Sequence, residues 1–212
     1  MKDYIKVNQK AYNALAREYA ANKKYYLKLS KRLLQPYISL LKKNPKRPRV
    51  LELGPGSGLC TSFLEAEGFE TFAIDVSKNI INLAKKLCPN THFFHKDFLE
   101  HDFGKAKYDG ILCLAFIHLF KKKDAETVLK KVHNLLAPKG IVYLSTTVEK
   151  RSSEGFFEKQ GYGTHIKRFR KCWTEKELIE SIEGAGFRIT KKFRNKEKSF
   201  REYKWINFIL EK

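Results

Sequence analysis

At 212 residues the chain is long enough for one domain with a substantial core, and 42% hydrophobic with 13% aromatic residues excludes global disorder. No apolar run approaches the roughly 18 residues of a membrane span, and residues 1–10 carry charges without an apolar stretch, so a cytoplasmic protein with no membrane partner is expected. The net charge of +20 is uneven, with 14 basic against 2 acidic side chains in residues 1–50, 13 against 12 in 51–150 and 16 against 9 in 151–212; basic flanks suit an anionic substrate, a nucleic acid or a lysine-rich solvated surface.

The chain opens on a helical pattern over residues 7–25, in which Tyr12, Leu15, Ala16 and Tyr19 recur at helical spacing and share one face. A second helix over 25–42 runs into the breaker-rich Asn44-Pro-Lys-Arg-Pro48. Val50-Leu-Glu-Leu53 then reads as a short buried strand leading directly into Gly54-Pro-Gly-Ser-Gly58, and an apolar helical pattern begins at Leu59. Strand, tight loop and helix N-terminus in that order suit a ligand cradle, with a plain tight turn as the alternative. Glycines let a ligand approach the main chain without meeting a Cβ, and the helix behind them offers unpaired N–H groups and a positive dipole end. A dinucleotide fingerprint starting at Gly54 requires glycine at position 59, which is Leu59.

After a stop at Gly68, a strand over 71–74 delivers Asp75 at its C-terminal end. A carboxylate there can accept both hydroxyls of a ribose, or serve as the N-terminal charge of the helix over 79–87 that Val76-Ser77 introduces. A third strand over 92–95 precedes Lys96-Asp97-Phe98. The fourth, 108–114, has the continuous apolar character of a strand covered on both faces and ends in Leu114-Ala-Phe-Ile-His118. Cys113 in its middle reads as a small buried hydrophobe, and with Cys60, Cys88 and Cys172 far from it and from one another, reduced thiols are expected.

A helix over 124–136 ends at Pro138-Lys-Gly140, and a fifth strand covers 141–146. Residues 148–172 are polar and basic, with Phe156, Phe157, Tyr162 and Phe169 set among Lys167, Arg168, Arg170 and Lys171, which suits a functional lid. Thr174-x-x-Glu177 is a capping box for a helix that stops at Gly184-Ala-Gly186, and strands follow over 187–193 and 203–210. The β-α alternation predicts an α/β fold with a doubly wound sheet.

Glu52-x-Gly54-x-Gly56-x-Gly58 closing a first strand resembles the nucleotide loop of class I S-adenosylmethionine-dependent methyltransferases. Tyr12-Asn-Ala-Leu-Ala-Arg-Glu-Tyr19 is similar to the Tyr-x-x-x-Ala-x-x-Tyr helix of small members, and Leu135-Leu-Ala-Pro-Lys-Gly140 to their Leu-x-Pro-Gly-Gly segment. Trp173-Thr-Glu-Lys-Glu-Leu178 with Gly184-Ala-Gly-Phe187 resembles their final helix and strand, so that the likeness spans residues 12–210.

The resemblance implies a Rossmann-like seven-stranded sheet of order 3-2-1-4-5-7-6, strand seven antiparallel in a terminal hairpin, with helices on both faces. Residues 1–212 are then one domain: a helical cover (1–47), a cofactor-binding core (48–147), a substrate lid (148–172), and a last helix and terminal β-hairpin (173–212). It implies S-adenosyl-L-methionine as cofactor, with Gly54, Pro55, Gly56 and Gly58 beneath its methionine and ribose and Glu52 fixing the loop and the amino-acid moiety. By the same resemblance Tyr19 approaches the cofactor, Asp75 and Val76 meet the ribose, Asp97 and Phe98 border the adenine, and the strand end at Leu114 faces the methyl group.

Neither the Asn/Asp-Pro-Pro-aromatic motif of base-amine enzymes, nor the Pro-Cys of cytosine-5 enzymes, nor a strand-closing Asp of the metal-dependent catechol type follows strand four. No metal ligand is expected. His118 is left as the candidate base or orienting group. The implied activity is methyl transfer to an oxygen or nitrogen nucleophile of a small, anionic or aromatic molecule. An RNA or tRNA methyltransferase, a catalytically silent cofactor-binding protein and an NAD-dependent oxidoreductase are the alternatives.

Overall fold

Five strands run parallel as neighbours at the centre of the molecule: β1 (Arg49–Leu53), β2 (Glu70–Asp75), β3 (His92–His95), β4 (Tyr108–Leu114) and β5 (Leu136–Thr147). The computed structural model describes residues 1–21, 23–43, 46–158, 165–196 and 204–212, with the backbone alone for the described part of 20–30 and for 196. Beyond β5 the chain forms a separate antiparallel hairpin, β6 (Ser153–Glu158) and β7 (Lys167–Cys172), then returns to the sheet as β8 (Arg188–Lys196) and β9 (Lys204–Glu211). The sheet order is β3-β2-β1-β4-β5-β9-β8, and β9 is antiparallel to both neighbours. With the hairpin set aside, this is the expected order.

Both faces of the sheet are covered, which is why its inner strands carry continuous apolar runs instead of alternating ones. On one face α6 (Lys122–Leu135) and α7 (Glu175–Gly184) set Val128, Leu129, Val132, Leu178 and Ile182 against Leu51, Leu53, Ile111 and Leu144. On the other, α3 (Lys23–Leu41) sets Leu34, Tyr37, Ile38 and Leu41 against Val50, Leu112 and Tyr143, joined by Leu64 of α4 (Leu59–Ala66). The helix α5 (Lys78–Lys85) takes its cap from Ser77, whose Oγ accepts from the Ile80 N–H at 3.2 Å.

Four features differ from the expectation. The single first helix is two, α1 (Asp3–Ala14) and α2 (Ala16–Ala21), because Leu15 leaves helical geometry (φ −85°, ψ 1°) to bury its side chain completely. Strand β5 starts at Leu136, which pairs with Tyr108; Lys139, at φ 63°, makes an irregularity, and pairing resumes at Gly110 with Ile141. The expected lid is a built β-hairpin, with Phe156 opposite Phe169 and Phe157 opposite Arg168. In the last hairpin β8 runs on to Lys196, past its predicted end at 193, while β9 keeps the predicted length, and Tyr162 and Tyr203 lie outside the described residues. Among the described residues no helix is long and apolar enough to cross a membrane.

Candidate cofactor and acceptor site

The glycine loop is left-handed at each of its glycines: φ is 71° at Gly54, 54° at Gly56 and 84° at Gly58. The Gly54 N–H donates to the Ile74 carbonyl at 2.9 Å, and the Gly58 N–H donates to the Pro55 carbonyl at 2.8 Å, which closes the turn onto α4. A Cβ on Gly54 would stand 2.9 Å from Cδ2 of Phe116 and 3.9 Å from Oδ2 of Asp75. The ring of Tyr19, carried by α2, comes within 3.6 Å of the Cβ position of Gly56 and lies 6.0 Å from the ring of Tyr12. Tyr19, Asp75 and the glycines therefore come together at the carboxyl ends of β1 and β2, where open α/β sheets bind ligands.

Three acidic side chains stand near the carboxyl ends of adjacent strands, Glu52 within β1, Asp75 closing β2 and Asp97 just past β3. Glu52 is buried, accepts a hydrogen bond from the Thr61 hydroxyl, and is pushed up to about 7 by loss of water, against the opposing pull of Thr61. Asp75, partly open, is also pushed up to about 7 by desolvation, although its Oδ1 accepts from the Ser77 N–H at 2.7 Å. Because Ser77 caps α5, the carboxylate of Asp75 is not spent as that helix's cap. Asp97 is 9% exposed and its Oδ1 accepts from the Leu99 N–H at 3.0 Å, while its Oδ2 is sealed with no hydrogen-bond partner. Desolvation raises its pKa. Phe98 is buried edge-on to Phe116, their ring centroids 6.1 Å apart.

The carbonyl of Val76 is taken by Gln9 Nε2 at 2.6 Å and contacted by His95 Nε2 at 3.0 Å. Asn13 accepts from the Ser77 hydroxyl at 2.7 Å and from the Asn79 N–H at 3.1 Å. The N-terminal cover is stitched to the rim of this site by these bonds, which no apolar periodicity announces.

At the end of β4, Leu114 is half-buried and Ala115 has φ 51°, a conformation uncommon for a residue with a Cβ, held by its N–H donating to the Ser145 carbonyl at 2.8 Å. That turn aims Phe116 at the glycine loop, backed by Phe120 at a centroid distance of 5.0 Å. His118 is 5% exposed, and its Nδ1 lies 3.1 Å from the Thr146 hydroxyl. Cys113 is buried and its thiol pushed up to about 12 by desolvation, so the small-hydrophobe reading describes it. Phe116 and the Asn8–Gln9–Asn13 clasp escape sequence reading; the clustering of aromatics just beyond strand ends is the one signal that points to Phe116.

The β6–β7 hairpin is docked on the cover. The Phe169 N–H donates to Asn8 Oδ1 at 2.7 Å, Asn8 Nδ2 donates to the Leu119 carbonyl at 3.2 Å, and the Tyr4 ring packs on Phe169 at 4.8 Å. The four cations of β7 part company. Lys171, 2% exposed, is spent structurally: its Nζ bonds Glu177 at 2.9 Å and Ser152 at 2.5 Å. Arg170 Nη2 donates to the Thr147 hydroxyl, Lys167 is exposed, and Arg168 is buried.

A family model of the methyltransferase domain matches residues 22–192. The chain belongs to the methyltransferase domain family. With its sheet order, it is a class I S-adenosylmethionine-dependent methyltransferase in family and fold. An uncharacterized methyltransferase of Oceanobacillus iheyensis is 28% identical over 147 residues, covering 69% of this chain and 65% of that protein. The glycine/sarcosine N-methyltransferase of Parasynechococcus marenigrum is 30% identical over 127 residues, 56% of this chain and 44% of that one, so the match spans less than two-thirds of either relative. Among solved structures, the Burkholderia thailandensis 1,6-didemethyltoxoflavin-N1-methyltransferase aligns with a TM-score of 0.71 at 22% identity, over 99% of this chain and 89% of that one. Magnesium protoporphyrin IX methyltransferase from Synechocystis aligns at 0.70 and 14% identity, over 100% and 98%. At such identities the likeness is one of fold. Among the described residues no group of three His, Cys, Asp or Glu side chains could hold a metal ion.

Proposed function

We propose that this protein, in the cytoplasm, transfers the methyl group of S-adenosylmethionine to an oxygen or nitrogen nucleophile of a small molecule. One observation carries the cofactor reading: the sealed, unpartnered Oδ2 of Asp97, one strand over from Asp75 and two from the glycine loop. A buried acceptor without a donor is costly, and the exocyclic amine of adenine is a donor of the right kind. Asp75 would accept the ribose hydroxyls, Phe98 would flank the adenine, Gly54, Pro55, Gly56 and Gly58 would pass beneath the ribose and methionine, and Glu52 would brace the loop through Thr61.

The sulfonium of the cofactor supplies an already activated methyl group. The chain's own residues are left with alignment and, for a protonated acceptor, with a base. Tyr19 and Phe116 close over the loop and exclude water from it. Leu114 and Ala115 set the strand end against which the acceptor is positioned, and His118, anchored on Thr146, serves as base or orienting group. Residues 1–47 form the cover and 148–172 the lid of this one domain.

The relatives' names favour a small acceptor: glycine or sarcosine, a toxoflavin precursor and a magnesium porphyrin. The basic flanks support RNA as the second reading; binding that neutralises several phosphates would weaken steeply and linearly in log salt, whereas a small anion would lose little. Thermal shift with S-adenosylhomocysteine against NADH tests the cofactor. A rise in Tm with the former alone is expected, and a rise with NADH alone would overturn the reading.

A further inference from the structure

Strand β7 lies beside the carboxyl ends of β4 and β5. It packs on the turn Ile117–Leu119, the Glu149 N–H donates to the Trp173 carbonyl at 2.8 Å just past its end, and Arg170 reaches Thr147. Its side chains alternate between two faces. Phe169 and Lys171 face α1 and α7, whereas Arg168 shares the opposite face with Arg170 and with Phe157, its partner across the hairpin.

Arg168 is 8% exposed, and its Nε and Nη1 are sealed from water with no hydrogen-bond partner. Among the described residues no carboxylate lies within ion-pair distance of it. Lys171, three positions on and at least as buried, shows what this strand does with a structural cation: it surrounds it with Glu177, Ser152 and the Cys172 carbonyl. A guanidinium does not shed its proton, so one with its Nε and Nη1 enclosed and unpaired burdens the fold. Among the described residues none supplies the compensating anion, and a bound ligand would supply it.

Resting on the methyltransferase reading above, we propose that Arg168 is the anion clamp for the methyl acceptor. It takes a carboxylate or phosphate group of a substrate whose apolar, aromatic body lies along the exposed ring of Phe157. Held there, the acceptor presents its nucleophile towards the end of β4. The amino-acid carboxylate of the cofactor is a different anion, and the test separates the two.

Arg168→Met is compared with the wild type, with Arg168→Gln as a second variant should the first fail to fold. S-adenosylhomocysteine is first titrated calorimetrically into each. The expected result is affinity within twofold of wild type and an unliganded Tm equal to or above it, because an unpaired charge has been removed. With S-adenosylhomocysteine bound, benzoate and phenyl phosphate are then compared with chloride at equal ionic strength. A Tm rise in the wild type that is lost in the variant supports the clamp. A response to benzoate alone assigns a carboxylate acceptor, and one to phenyl phosphate alone a phosphorylated one. The clamp is overturned by no anion response in a wild type that binds S-adenosylhomocysteine, by an equal response in the variant, by a lowered unliganded Tm, or by a tenfold loss of S-adenosylhomocysteine affinity, which would give Arg168 to the cofactor. A wild type that does not bind S-adenosylhomocysteine at all would instead overturn the cofactor reading.

Discussion

Gly54 and Phe116 are shaped to each other: a Cβ at the glycine would lie 2.9 Å from Cδ2 of the ring, so the loop after β1 and the turn after β4 close on one another with no room to spare. Gly54→Ala meets both this contact and the left-handed φ of 71°, which alone costs a side chain about 1–2 kcal/mol. Calorimetry with S-adenosylhomocysteine should show at least a tenfold loss of affinity, with a lowered Tm. Adding Phe116→Ala should recover part of the Tm but not the backbone penalty. Unchanged affinity in Gly54→Ala would remove the loop from the cofactor site.

Asp97→Asn tests the sealed oxygen. Replacing an acceptor by an amide turns one end of the side chain into a donor facing the adenine amine, and the lost charged hydrogen bond is worth about 1.5 kcal/mol or more. Affinity for S-adenosylhomocysteine should fall about tenfold, while the unliganded Tm holds or rises because Oδ2 has no partner to lose. A variant that is destabilised yet binds normally would make Asp97 a structural residue.

The raised carboxyls give the protein a definite pH dependence. Asp75 goes from an ordinary 3.8 to about 7 and Glu52 from 4.5 to about 7, both mainly through desolvation. Between about pH 4 and pH 7 the unfolded chain has released these protons and the folded one has kept them, so unliganded stability falls as pH rises through that window and levels above it. Binding runs the other way: a ribose that donates to Asp75 favours the ionised form, so S-adenosylhomocysteine affinity should climb from pH 6 to pH 8. Asp75→Asn should flatten that climb in calorimetric titrations; a climb of the same slope in the variant would acquit Asp75.

His118 is tested by kcat. General bases contribute about 100-fold or more, so His118→Ala should lower kcat by about that factor while S-adenosylhomocysteine affinity stays unchanged. Turnover that survives, in a variant whose Tm has dropped, would mean that the ring only fills its place against Thr146.

The core was legible because its strands are buried on both faces, and residues such as Val50, Leu51, Ile111 and Leu112 then advertise themselves as unbroken apolar runs. The glycine loop was legible because its three left-handed positions admit few other residues. The β6–β7 hairpin was not, since Phe156 and Phe157 are both exposed and cations stand on both faces of β7, which blurs the two-residue period. The start of β5 hid behind Pro138 and the left-handed Lys139, which mimic a turn. Arg168 and Lys171 look alike in sequence; only the fold, by giving Glu177 to one of them, sets them apart.

The most direct measurement is transfer of a labelled methyl group from S-adenosylmethionine into cell extract incubated with the protein, followed by separation into small-molecule and RNA fractions. Label should enter the small-molecule fraction, resist nuclease, and be absent when Gly54→Ala replaces the wild type. Label confined to nuclease-sensitive material, or no transfer at all by a protein that binds S-adenosylhomocysteine, would contradict small-molecule methylation.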